Sequence, residues 1–240
     1  MVLNRRLLCL VPLVLIAGCA TAPPPASLSQ PGEKAPSEDP LILDFHPLGK
    51  INGQDNLFRS ASPIRDMTKA GTYDPTGTAA RAAADVRMKS LYARGIRTII
   101  SLEAADSSED KSSWMALEKA AAGDAGLTIV ACPLANSGPD SFQVWSDQTV
   151  LAKLQAISDE IMKAAKNGGV DIHCSAGHDR TGIVVAFLRL KYQHWTADGV
   201  IAEMRFYGHN WPKLSANGGA SSWHEDHLRA IARMLSAGTP

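Results

Sequence analysis

"HCSAGHDRTG", residues 173–182, lies between a short β-branched run, "VDIHC" (170–174), and a helix-forming run, "TGIVVAFLRLKY" (181–192). A strand, a tight loop and a helix in that order place the loop beyond the C-terminal end of a strand, where α/β sheets bind ligands. A helix N-terminus offers unpaired N–H groups and partial positive charge, both suited to an anion. Gly177 lets the loop turn sharply, and Gly182 lets the helix start close to a ligand. Arg180 supplies a planar fork for two phosphate oxygens. Cys174 stands at the base of the loop, where a helix dipole and an arginine favour the thiolate. Thr181 is expected to donate its hydroxyl to that thiolate, and His173 to hold the loop from behind. Ser175, Ala176, Gly177, His178 and Thr181 then form a phosphate cradle around a nucleophilic sulfur.

Outward from this loop, strand-like and helix-like segments alternate. "NLFRSASP" (56–63) reads as an opening strand ended by Pro63, "IRTIISL" (96–102) as a second strand and "LTIVACPL" (127–134) as a third. Helix formers fill 79–94, stopped by Gly95, then 113–122 and about 142–166, closed by Asn167-Gly168-Gly169. Two further amphipathic helices are expected over 196–208, with Thr196 as N-cap, and 221–235. This order predicts an α/β fold of three layers, a mostly parallel central sheet flanked by helices.

The chain has 240 residues, 45% hydrophobic and 20% charged, which excludes wholesale disorder and suits one α/β domain with extensions. Net charge is zero, so there is no basic field for nucleic acid. Arg5 and Arg6 precede an apolar run from Leu7 to Ile16 that is too short to span a bilayer, the layout of an export signal. "LIAGC" (15–19) resembles the lipobox of bacterial lipoproteins, which implies cleavage before Cys19 and lipid on its sulfur. The alternative is a plain signal cut after Ala20-Thr21-Ala22, with Pro23 awkwardly placed beyond the scissile bond. Residues 1–18 are thus expected to be a signal, 19–40 a Pro/Ala/Ser tether and 41–240 the catalytic domain. Cutting before Cys19 leaves 22 basic against 24 acidic side chains, a net charge of −2. Such a chain is exported and anchored in a bacterial cell envelope, facing the extracytoplasmic side. Only Cys132 and Cys174 then remain as thiols, too few for a disulfide framework and without a C-x-x-C zinc pair.

The loop "HCSAGHDRTG" resembles the H-C-x5-R-[S/T] signature of the cysteine-dependent protein tyrosine and dual-specificity phosphatases, closest to the branch with "HCxAGKDRTG". "FRSASP" (58–63) is similar to that superfamily's R-S-x-x-P opening, and "LYARGIRTIISL" (91–102) to its L-x-x-x-G-I-x-T-I-I-x-L strand. The resemblance covers about residues 56–210. It implies attack of Cys174 on phosphorus, a phosphocysteine, and Arg180 and loop amides on the equatorial oxygens, with no metal or cofactor. The implied substrate is a phosphotyrosine protein or a related small phosphoester; a phosphoinositide or inositol polyphosphate is the alternative. A non-catalytic phosphate-binding module and a rhodanese-like sulfurtransferase are further readings, the latter opposed by the Arg180-Thr181 ending.

The general acid is less plain. Many members carry an aspartate a few residues beyond the proline after the third strand, and "PLANSGPD" (133–140) aligns Asn136 there, an amide that cannot donate the proton. Asp179, inside the loop, is the favoured acid, Asp140 the alternative and Asp147 a distant third. His178 stands where members often have lysine, as a weak substrate contact or a solvated ring. His224 and His227, three apart on the last helix, lack a third metal ligand. Cys132 ends the third strand, and a reversible disulfide to Cys174 is conceivable if their Cα atoms lie within ~7 Å.

Overall fold

The computed structural model describes residues 37–67, 73–103, 109–136, 138–209 and 223–238. The expected signal, Cys19 and most of the tether lie outside the described residues. Five strands form one sheet: β1 (His46–Pro47), β2 (Leu57–Ala61), β3 (Ile96–Ser101), β4 (Thr128–Ala131) and β5 (Gly169–Cys174). Their order is β1-β2-β5-β3-β4, parallel throughout except for the antiparallel β1 edge. The helices are α1 (Thr78–Ala93), α2 (Glu109–Asp124), α3 (Asp147–Ala164), α4 (Asp179–Gln193), α5 (Ala197–Phe206) and α6 (Trp223–Ser236). This is the three-layer α/β arrangement expected.

Strand β5 lies in the middle of the sheet, so all six of its residues are buried. The two-residue period of a strand then sorts its side chains. Val170, Ile172 and Cys174 join the large core with Leu154, Val184, Phe187, Val200 and Leu228, which α3 to α6 contribute. Asp171 and His173 face the opposite layer, where α1 and α2 pack Ala84, Met88, Leu117 and Ala121 into a second core. The nucleophile candidate and the histidine before it therefore stand on opposite sides of the sheet.

Boundaries differ from expectation where loops use apolar residues. Helix α3 starts at Asp147 rather than near Phe142, because Ser146 caps it by accepting from the Thr149 amide. Phe142 instead anchors the preceding loop in the core, against Trp145 and His224. Packing also begins ahead of residue 41: Asp39 is buried and accepts from Ser90 Oγ and Arg94 Nε at 2.8 and 2.6 Å.

The topology excludes the Cys132–Cys174 disulfide. Strand β3 lies between the two, with the Cys132 amide donating to Ser101 on one side and Leu102 to His173 on the other. Two strand spacings amount to ~9.6 Å, beyond the reach of a disulfide.

Candidate active site

At the end of β5 the chain leaves the sheet at Cys174, which is 2% exposed, and enters α4 at Asp179. The four residues between are pinned from below by β2 and the turn after it. Parallel pairing sets Ala61 opposite Cys174 and Ser60 opposite His173. The Ser62 amide donates to the Cys174 carbonyl at 2.8 Å, and Arg65 Nη1 donates to the Ser175 carbonyl at 3.4 Å. Gly177 adopts φ +72°, and its Cα passes so close to β2 that a Cβ would stand 2.6 Å from Ser60 O. Only glycine combines that conformation with that approach.

Arg59 is the residue that sequence reasoning passed over. It is wholly buried, donates from Nη2 to the Gly177 carbonyl at 2.7 Å and lies 4.0 Å over the Tyr207 ring. The R-S-x-x-P likeness marked its position but carried no statement of its task. Burial lowers its affinity for the proton, with Glu203 and Tyr207 opposing, so a guanidinium is held inside as a fixed strut for the loop.

The loop itself keeps its donors for something else. Among the described residues no acceptor takes the amide hydrogens of Ser175, Ala176, Gly177, Asp179 or Arg180; the first turn of α4 closes with Gly182 donating to His178. Arg180 spends one N–H on the Leu102 carbonyl, at 3.3 Å, and no described carboxylate pairs with it. Among the described residues Thr181 Oγ1 is buried without a hydrogen-bond partner, so the expected bond to the sulfur is not formed. A buried sulfur, a helix N-terminus, and amides and an arginine unclaimed by any carboxylate among the described residues form an arrangement suited to a tetrahedral oxyanion beside a thiol.

Asp179 is not isolated. Its Oδ1 accepts from His209 Nδ1 at 2.6 Å, and the His209 ring packs edge-on to His224 at 5.6 Å between centroids. His224 Nε2 donates in turn to Asn136 Oδ1 at 3.2 Å. The loop after β4, the end of α5, the start of α6 and the start of α4 thus meet at one point. Burial works to raise the Asp179 carboxyl, but the hydrogen bond and charge of His209 outweigh it and hold the group below the usual carboxylate range. Burial, reinforced by the neighbouring His209, pushes His224 down to about 3, so its ring is neutral. Asp140, the other acid candidate, accepts from Trp145 Nε1 at 2.5 Å on the exposed side of its loop. Asp147 accepts from His227 Nδ1 at 2.6 Å, and His227 Nε2 donates to the Phe142 carbonyl at 2.9 Å. The two α6 histidines serve different partners, and no metal-binding group of three side chains occurs among the described residues. His178 lies at the rim, 3.3 Å from Asp44 Oδ2.

Under the loop, on the α2 side of the sheet, lies a buried polar layer. His173 Nε2 stands 3.6 Å from Glu118 Oε1, which accepts from Ser62 Oγ at 3.1 Å. Ser60 Oγ donates to Asp171 Oδ2 at 2.8 Å. Burial raises Glu118 to about 7 and Asp171 to about 8, and lowers His173 to about 4. His173, expected to hold the loop from behind, is a neutral ring packed in this layer, with neither nitrogen hydrogen-bonded among the described residues.

The sequence profile of the tyrosine phosphatase family matches residues 89–217, just over half of the chain, and the chain belongs to that family. It is a phosphatase, hence a hydrolase, of the tyrosine-phosphatase superfamily. No curated protein matches. Among solved structures, a kinase associated phosphatase with its catalytic-site cysteine replaced by serine is similar at TM-score 0.50 and 16% identity, over 84% of this chain and 99% of that one. TpbA of P. aeruginosa is similar at TM-score 0.47 and 20% identity, over 83% and 96%. A TpbA variant in complex with phosphotyrosine is similar at 0.45 and 18%, over 82% and 99%. At these identities the likeness concerns the fold.

Proposed function

We propose that the chain hydrolyses phosphomonoesters through a covalent phosphocysteine on Cys174, with phosphotyrosine protein or a related phosphoester as substrate. The observation that carries this reading is the loop from Cys174 to Arg180, with a buried sulfur at its base and, among the described residues, amides that no acceptor claims and an arginine without a carboxylate partner. The phosphoryl oxygens take the loop amides and the Arg180 fork, which places phosphorus in line with the sulfur. As the S–P bond forms, the ester P–O bond breaks and its oxygen takes a proton from Asp179. Water then attacks phosphorus, gives its proton to the Asp179 carboxylate, and the S–P bond breaks to free inorganic phosphate and the thiolate.

Asp179 carries the acid role in this reading because it sits in the loop with its carboxyl partly exposed, whereas Asp140 is bound to Trp145. Asp44 beside His178 sets a carboxylate at the rim. That favours a singly phosphorylated tyrosine over a highly anionic inositol polyphosphate. The chain is also proposed to be an exported lipoprotein anchored through Cys19; the charged start, the short apolar run and "LIAGC" support this.

The test is turnover of p-nitrophenyl phosphate, phosphotyrosine peptide, phosphoinositide and phytate by the wild type, Cys174→Ser and Arg180→Lys. Cys174→Ser abolishes turnover and retains vanadate binding, because its hydroxyl is not ionised at neutral pH. Arg180→Lys is crippled, since a point charge cannot reproduce the fork. Wild-type turnover in Cys174→Ser would remove the nucleophile from the mechanism.

A further inference from the structure

We propose that His209 is the proton-loading partner of Asp179: it supplies the proton that Asp179 delivers to the leaving oxygen and takes it back when water is activated. This rests on the reading of Asp179 as the general acid. The geometry is a hydrogen-bonded carboxylate–imidazole pair, 2.6 Å from Nδ1 to Oδ1, with one member in the phosphate loop and the other outside it. The Asp179 side chain is 27% exposed and so reaches the solvent side of the loop, while the His209 side chain is completely enclosed. On its far side, His209 Nε2 lies 3.8 Å from Glu225 Oε1. Glu225 is itself clamped by Arg205, whose Nε and Nη2 donate to its two oxygens at 2.9 and 2.7 Å.

This arrangement addresses a difficulty within the mechanism. An acid held as a carboxylate by its neighbour cannot protonate a leaving group unless that neighbour returns the proton. An imidazolium can do so. A bound phosphoryl dianion disfavours a second negative charge at Asp179 and draws the shared proton from Nδ1 onto the carboxyl. Asp179 gives it up as the P–O bond breaks, leaving a carboxylate beside a neutral ring. When water attacks the phosphocysteine, Asp179 accepts its proton and the pair returns to carboxylate and imidazolium. Two protonations cancel over the cycle, and no outside acid or base is consumed.

The groups facing the pair are His178, which precedes α4, and His224 and Glu225 from α6; behind them Arg205 from α5 pairs with Glu225, and Arg180 from α4 acts on His224. Glu225 Oε1 stands 3.8 Å from His209 Nε2 on the far side of the ring, and burial holds the neighbouring His224 ring neutral. With Nδ1 and Oδ1 2.6 Å apart the proton is shared between Asp179 and His209, and the basic limb of the pH–rate profile is expected to report the pair rather than a lone carboxyl.

The test compares His209→Asn, His209→Gln and Asp179→Asn on phenyl phosphate, an alkyl phosphate and p-nitrophenyl phosphate. General acid catalysis is worth about 10²–10⁴-fold. In kcat/KM, which reports the steps through phosphocysteine formation, both His209 variants are expected to lose about 10–100-fold on the alkyl ester at pH 7 and under about threefold on p-nitrophenyl phosphate, whose leaving group needs no proton. Their basic limb moves to lower pH, because Asp179 then titrates alone. His209→Gln keeps a donor beside Asp179 and cannot carry a titrating proton, so a purely structural role predicts its rescue. A wild-type pH profile in His209→Gln, with Asp179→Asn still impaired on alkyl esters, overturns the role of His209 alone. Unimpaired Asp179→Asn removes the acid and the inference together. If the His209 variants do not fold, the wild type answers: in ¹⁵N-histidine-labelled protein, Nδ1 of His209 passes from protonated to bare on vanadate binding at constant pH. An unchanged signal overturns the inference.

Discussion

Replacing Gly177 by alanine tests the link between loop geometry and rate most directly. Two costs combine. An alanine at φ +72° meets the left-handed penalty of ~1–2 kcal/mol. Its Cβ would lie 2.6 Å from Ser60 O and 2.8 Å from Ala61 N, where ordinary contact begins at 3.4 Å. Those atoms are backbone of β2, tied into the sheet by pairing with β5, so the loop has to retreat instead. Closing the gap takes a displacement of ~0.8 Å, which pulls the Gly177 carbonyl off Arg59 Nη2. Losing a hydrogen bond from a charged donor costs ~1.5–3 kcal/mol, which brings the destabilisation to roughly 3 kcal/mol. A shift of about 1 Å in a catalytic frame costs on the order of 10²-fold in rate. Gly177→Ala should therefore lose about 10–100-fold in kcat/KM toward p-nitrophenyl phosphate, bind vanadate more weakly and melt several degrees lower. Gly182→Ala is the control: its Cβ would meet Met204 Cε and Cγ at 3.1 and 3.2 Å, the flexible end of a thioether that can step aside. If Gly177→Ala kept kcat/KM and melting temperature at the level of Gly182→Ala, the loop would not be held against β2 as described.

Arg59→Met keeps much of the buried volume and removes both the bond to Gly177 O and the contact with Tyr207. Turnover should fall at least about tenfold, while stability changes by less than about 2 kcal/mol, because burying a guanidinium is itself costly; denaturant titration beside steady-state kinetics checks the split. Asp171→Asn tests the buried layer. Burial raises Asp171 to about 8 and Glu118 to about 7, so the folded state holds protons that the unfolded chain has already released. Their stabilisation is complete below the unfolded carboxylate range and is lost as pH rises toward about 8. His173, lowered to about 4, acts oppositely and loses its share as pH falls from its ordinary range toward that value. The wild-type melting temperature should therefore decline from about pH 6.5 to about pH 8, and Asp171→Asn should flatten that decline; an identical slope in the variant refutes the assignment. Cys19→Ser should release the chain from membranes into the soluble fraction, and unchanged sedimentation with membranes would remove the lipid anchor.

What could be read from the sequence was what is local. The loop from His173 to Gly182 packs strand end, turn, arginine and helix start into ten residues, so spacing alone conveyed its shape. The start of α3 was equally local and was misplaced. Ser146 and Thr149 carry the capping signal, but the apolar Phe142 drew the helix too far forward, although it serves to pin a loop. Strand β1, at two residues, has too short a pattern to register. The His209–Asp179 bond spans 30 residues and the His224–Asn136 bond spans 88. Such pairs depend on which loops meet above the sheet, and no periodicity records that. His224 and His227 looked like one motif because they share a helix face; the fold directs one to Asn136 and the other to Asp147 and Phe142.

One register joins the two legible motifs into a site. Parallel pairing sets Arg59 opposite Ile172, Ser60 opposite His173 and Ala61 opposite Cys174. With a period of two, Arg59 shares the face of Cys174 and reaches Gly177 O, whereas Ser60 shares the face of Asp171 and bonds it. A slip of one residue between β2 and β5 would exchange those faces, turning the guanidinium toward α2 and the serine toward the loop. Ser60 with Asp171 and Arg59 with Gly177 therefore act as a pair of register locks, one on each side of the sheet. The polar layer beneath Cys174 thus has a purpose beyond filling space. It fixes which side of β2 faces the loop from Cys174 to Arg180, and the geometry of that loop depends on the choice.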